Sequence, residues 1–173
     1  MGVLKRVIEG NADWVVGDHL QNGEVVLNGN ASASCAPSMG GGRLVVKGDV
    51  GPRSGIGMKG GDLIIGGSAG DMAAFMMQNG RIIICGNTGR AIGDSMYDGV
   101  IYVGGEIREA GSGTRIEMAS KEEYEDIKVL LMQYGMPVPI SFKKITCNKP
   151  LFNFNKKNFS LWKFIEAKGM ASA

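Results

Sequence analysis

The stretch Gly61-Asp62-Leu63-Ile64-Ile65-Gly66-Gly67-Ser68-Ala69-Gly70-Asp71-Met72-Ala73-Ala74-Phe75-Met76-Met77-Gln78-Asn79 decides the fold, because the next 19 residues, from Gly80 to Asp98, repeat its plan. In both, a Gly and a charged residue precede three aliphatic residues, a second Gly follows, then a third, and a Met closes the unit. Extending the comparison outward gives three columns with a spacing of 19. The first is Gly23, Gly42, Gly61, Gly80 and Gly99; the second is Gly10, Gly29, Gly48, Gly67, Gly86 and Gly105. The third is Met39, Met58, Met77 and Met96, with Leu20 one repeat earlier. Three independent columns in one register define an internal repeat, the feature to seek before any local reading. Six copies begin near Leu4, Gly23, Gly42, Gly61, Gly80 and Gly99.

Each copy carries an apolar triplet: Val25-Val26-Leu27, Leu44-Val45-Val46, Leu63-Ile64-Ile65, Ile82-Ile83-Ile84 and Ile101-Tyr102-Val103. Short β-branched runs bounded by Gly read as strands. A unit of this length without a helix is one turn of a solenoid, which buries its apolar side only when stacked on its neighbours. The expected fold is all-β: a right-handed parallel β-helix of about six coils, roughly 28 Å long at ~4.8 Å per coil. Gly29, Gly48, Gly67, Gly86 and Gly105 are expected at corners, where positive φ or close backbone approach excludes a Cβ. Met39, Met58, Met77 and Met96 are expected to fill the core. Hence residues 1–118 form the repeat domain, with 119–173 as a helix and tail packed on it or extending from it.

Beyond the repeat, Ser120 and Glu123 make a capping-box signature. Tyr124, Ile127, Leu130, Leu131 and Tyr134 come next at helical spacing, and Gly135 and Pro137 end the helix. Leu151-Phe152-Asn153-Phe154-Asn155 and Trp162 read as an extended arm with aromatic anchors.

Side chains alternate across a strand. If Leu44 and Val46 point inward, then Val7, Val26, Val45, Ile64, Ile83 and Tyr102 form an apolar stripe on the outside. Large contiguous apolar patches are unusual on monomers. The stripe is therefore expected to be a partner or self-association surface, with the helix or the tail covering part of its length.

The chain has 28 glycines among 173 residues, a mean hydropathy of +0.01 and a net charge of +2. No apolar run approaches the roughly 20 residues that span a bilayer. No secretory signal is apparent, and three widely spaced cysteines suggest neither disulfides nor a zinc site. A cytoplasmic location is expected. Residues 143–173 hold seven Lys and one Glu, and this basic segment reads as a solvated tail rather than a nucleic-acid site.

Chemistry-bearing motifs are sparse. Gly55-Ile56-Gly57-Met58-Lys59-Gly60 matches G-x-G-x-x-G, but that pattern binds dinucleotides only between a strand and a helix. His19 is the only histidine, so a nucleophile–histidine pair would rest wholly on it. Many β-helices cleave polysaccharides with clustered carboxylates. Here Asp18 and Asp94 share a column but stand four coils, or about 19 Å, apart, and Asp71 with Arg90 reads as a surface ion pair. No catalytic, cofactor-binding or metal-binding residue is assigned, and the purified chain is expected to bind neither FMN nor NAD.

The segments Gly86-Asn87-Thr88-Gly89-Arg90, Gly93 to Val103 and Gly70 to Arg81 resemble the GXGXG-domain family. Within it the chain is most similar to stand-alone versions of the C-terminal domain of the glutamate synthase large subunit, and the 151–155 segment resembles their ends. The resemblance implies a right-handed β-helix without catalytic residues, bracing a glutamine amidotransferase subunit and an FMN-dependent glutamate synthase subunit, with a homo-oligomer also open. The same domain forms the C subunit of formylmethanofuran dehydrogenase, which makes a scaffold of that complex the alternative; a carbohydrate-acting enzyme is the remote alternative.

Overall fold

The structure is a computed structural model and describes residues 4–148. Six strands, β1 (Lys5–Glu9), β2 (Glu24–Asn28), β3 (Arg43–Val46), β4 (Asp62–Ile65), β5 (Arg81–Ile84) and β6 (Val100–Val103), stack in parallel. Every pairing joins residues 19 apart, from Lys5 opposite Glu24 to Arg81 opposite Val100. The chain is thus a β-solenoid. Six rungs are joined by five full turns, slightly fewer than six complete coils. The sixth copy breaks because one residue is lost within it: Thr88 still pairs with Ile107, but Ile92 pairs with Ala110, a spacing of 18.

Beyond the sixth rung, two antiparallel strands close the far end. They are β7 (Thr114–Met118) and β8 (Lys143–Cys147), and β8 inserts between β6 and β7. Reversal of direction ends the parallel stack. Between them runs α1 (Lys121–Gln133), whose capping box has both halves: Ser120 Oγ accepts from the Glu123 N–H, and the Glu123 carboxylate accepts from the Ser120 N–H.

Alternation along each strand divides the apolar residues between two cores. Leu27, Leu44, Val46, Leu63, Ile65, Ile82, Ile84, Ile101 and Val103 fill the solenoid interior with Met39, Met58, Met77 and Met96. Val26, Val45, Ile64, Ile83 and Tyr102 face outward, but no free surface results. They are buried under Ile127, Leu130 and Leu131 of α1, with Met136 and Phe142 beyond it. The expected partner surface is therefore this protein's second core. The correction is geometric. The five residues span four rung spacings, about 19 Å, and a 13-residue helix is about 20 Å long, so cover and stripe match. Val7 alone, one rung beyond the cover, stays exposed. The 151–155 segment and Trp162 lie outside the described residues.

Candidate functional site

The corner column does its work through close approach. Gly29, Gly48, Gly67, Gly86 and Gly105 are absent from the residues with positive φ. A Cβ at any of them would overlap the coil below: at Gly67 it would strike the Asp49 carboxylate and come within 2.9 Å of the Asp49 nitrogen. The space is reserved for a side-chain ladder. Asn11 Oδ1 accepts from the Asn30 N–H (2.9 Å), Asn30 Oδ1 from Asp49 (2.8 Å) and Asp49 Oδ1 from Ser68 (2.7 Å). Ser68 Oγ then accepts from Asn87 (3.0 Å), and Asn87 Oδ1 from Glu106 (2.8 Å). The sequence carries the signal, since each of these residues follows a column glycine.

The next side of each coil is conformationally unusual. Val15, Ser34, Arg53, Met72 and Ala91 all have φ between 55° and 61°. Two and four residues later the left-handed region recurs, at Gly17, Ala36, Gly55, Ala74 and Gly93 and at His19, Ser38, Gly57, Met76 and Ser95. Non-glycine residues seldom sit there. They persist because neighbouring coils hydrogen-bond the resulting backbone: Met72 N donates to Arg90 O (2.7 Å) and Ala74 N to Ser54 O (2.7 Å). Gly55–Gly60 lies on this side, and the element after it is strand β4, so the dinucleotide context is missing. Trp14, Val15 and Met76 are exposed here. Trp14, Pro52, Arg53, Asp71 and Met72 line a shallow depression of about 350 Å³.

At the opposite edge of the strands a charged ladder runs along the rod. Lys5 pairs with Glu24 (2.9 Å), Arg43 with Asp62 (2.9 Å) and Asp62 with Arg81 (2.9 Å). The Tyr134 hydroxyl bridges the remaining step, donating to Glu24 Oε2 (2.9 Å) and accepting from Arg43 (3.1 Å). Burial pushes the Asp62 carboxyl up, but hydrogen bonds from Arg81 and Arg43 outweigh it and hold it below the usual range. Glu24 balances in the same way, with Lys5 and Tyr134 outweighing burial. These charges are legible in the sequence at a spacing of 19, and each is paired with a charge or hydroxyl of the same ladder.

The other candidates are not brought together. His19 Nδ1 contacts Asp18 (2.6 Å), and both are exposed. Burial pushes the Cys35 and Cys85 thiols up to about 12, the opposite of an activated thiolate. Asp71 Oδ1 accepts from the Arg90 backbone N–H (2.7 Å), a rung of a second ladder where an ion pair is expected from the sequence. Among the described residues no three His, Cys, Asp or Glu side chains cluster as a metal site would need, and no helix is long and apolar enough to cross a membrane.

A family profile described as GXGXG motif matches residues 2–134, which takes in all six rungs and α1. No curated protein matches the chain.

Proposed function

Because this chain belongs to the GXGXG motif family, we propose that it is a non-catalytic scaffold subunit of a glutamate synthase-type complex. In this reading it holds a glutamine amidotransferase unit and an FMN-dependent synthase unit in fixed relation. One observation carries the reading: Asp71 and Asn87, polar residues of the segments that resemble the family, accept hydrogen bonds from the neighbouring coil's backbone. Groups spent on holding a backbone together serve a rigid spacer. With the outward strand stripe covered by α1, we assign the contact with such units to the exposed apolar residues of the left-handed side, Trp14, Val15 and Met76, which lie together on one side of the coils.

The test is reconstitution. The chain is co-expressed with the two catalytic units, and glutamine-dependent and ammonia-dependent glutamate formation are compared with and without it. The scaffold reading expects co-purification, and loss of the glutamine-dependent reaction alone when the chain is omitted. Trp14→Ala is expected to weaken co-purification while leaving the melting temperature unchanged. A flavin spectrum or ammonia release from glutamine by the purified chain would overturn the reading.

A further inference from the structure

The two ends of the rod are finished differently. One closes on antiparallel β8, whereas β1 at the other end is an edge strand, exposed at all five residues. Glu24 N donates to Leu4 O (2.8 Å) and Gly10 N to Asn28 O (3.2 Å). In a parallel ladder, bonding alternates along the strand, so Arg6 and Ile8 turn their N–H and C=O toward β2. Those of Lys5, Val7 and Glu9 point away from the rod. Such a row is a template for another strand.

We propose that this edge pairs with the same edge of a second copy, antiparallel, about a two-fold axis through Val7. Val7 then faces Val7 of the second copy, and Lys5 faces its Glu9, so that all three outward-bonding residues fall in hydrogen-bonded pairs. The sequence is self-complementary in this register alone. The two-fold registers centred on Lys5 or Glu9 set like charges opposite each other, which is destabilising, while that through Val7 sets opposite charges opposite each other twice. An isologous contact is the form a closed dimer takes. Leu4, Val7 and Ile8, all exposed in the single chain, lie along this edge. Arg6 opposes the arrangement: it stands in the inward column of Val25, Leu44 and Leu63, and an inward-pointing charge is one way a protein guards a free edge. The proposal is independent of the glutamate synthase reading.

The experiment uses the full chain. Sedimentation of the wild type should show a concentration-dependent monomer–dimer equilibrium. Hydrogen-bonded antiparallel partners lie about 5.5 Å apart at Cα, within disulfide range. Val7→Cys should therefore cross-link to a covalent dimer under mild oxidation, whereas Lys5→Cys should not. Glu9→Lys puts two like-charge pairs into the interface and should weaken dimerisation by roughly tenfold, with an unchanged melting temperature showing that the fold is intact. A wild type that stays monomeric at about millimolar concentration overturns the proposal, whether Arg6 guards the edge or another protein occupies it. A dimer in which Val7→Cys fails to cross-link, or which ignores Glu9→Lys, also overturns it.

Discussion

Two sides of the same coil are built on opposite terms. On the strand side, residues such as Arg43–Val46 adopt a conformation their own chemistry favours, and their branched side chains fill a core on each face. On the left-handed side, Arg53, Met72 and Ala74 hold a backbone conformation they disfavour, at φ of 58° to 61°. The first side would be a strand in many proteins; the second exists only because a coil lies above and below. Local preference makes the one, and stacking imposes the other.

Several substitutions break or sharpen that contrast. Ile64→Lys places an unpaired charge under α1 and should destabilise the isolated chain by about 3–5 kcal/mol. Met58→Asp, in the inner core, should match it. A mild effect at Ile64 in urea unfolding would mean that α1 is not a permanent cover. Gly67→Ala, at the corner between the two sides, should cost about 2–3 kcal/mol, because its Cβ displaces the Asp49 rung. A neutral result would return that corner to simple turn flexibility.

Acid probes the cover. Glu123 is held at about 2, against the ordinary carboxylate value of 4.5, by a hydrogen bond from Lys144, which outweighs its partial desolvation, with help from the Ser120 N–H and Tyr102. A depressed folded-state value means the stabilisation is complete above pH 4.5 and is lost as pH falls toward about 2. Thermal unfolding of Glu123→Gln should show a shallower decline across that window than the wild type. The smallest effect belongs to the left-handed side. Met76→Gly, at φ 53°, should leave stability unchanged or raise it by up to about 1 kcal/mol, whereas glycine on the strand side, as in Val45→Gly, should be strongly destabilising. Equal losses at the two sites would remove the distinction.

The contrast also explains what the sequence can tell. Strands, the inward Met column and α1 are legible because each announces itself locally, by β-branched triplets, by period or by the Ser120–Glu123 box. Positive φ at Val15, Arg53 or Met72 is not, because nothing in those side chains asks for it; the cause lies 19 residues away. β8 escapes a sequence reading for a related reason. Lys143-Lys144-Ile145-Thr146-Cys147 has no repeat partner, and its place between β6 and β7 is set by the gap it fills. The alternation rule puts the outward stripe on the correct face but expects cover over only part of it, because it sets the helix against the full rod of about 28 Å, whereas the five residues buried under α1 span about 19 Å and only Val7 is left out. The charged and amide ladders are within reach once the residue beside each glycine is read down the stack as well as along the chain.

The alternation Lys5, Glu24, Arg43, Asp62, Arg81 also constrains how such a chain can change length in evolution. A repeat protein lengthens or shortens by whole coils, and the solenoid interior is indifferent to how many are lost. The charged ladder is not. Excising residues 43–61 would bring Glu24 against Asp62, acid beside acid, whereas excising 43–80 would bring Glu24 against Arg81 and restore the pairing. The ladder thus gives the rod a parity, under which coils are gained or lost in pairs.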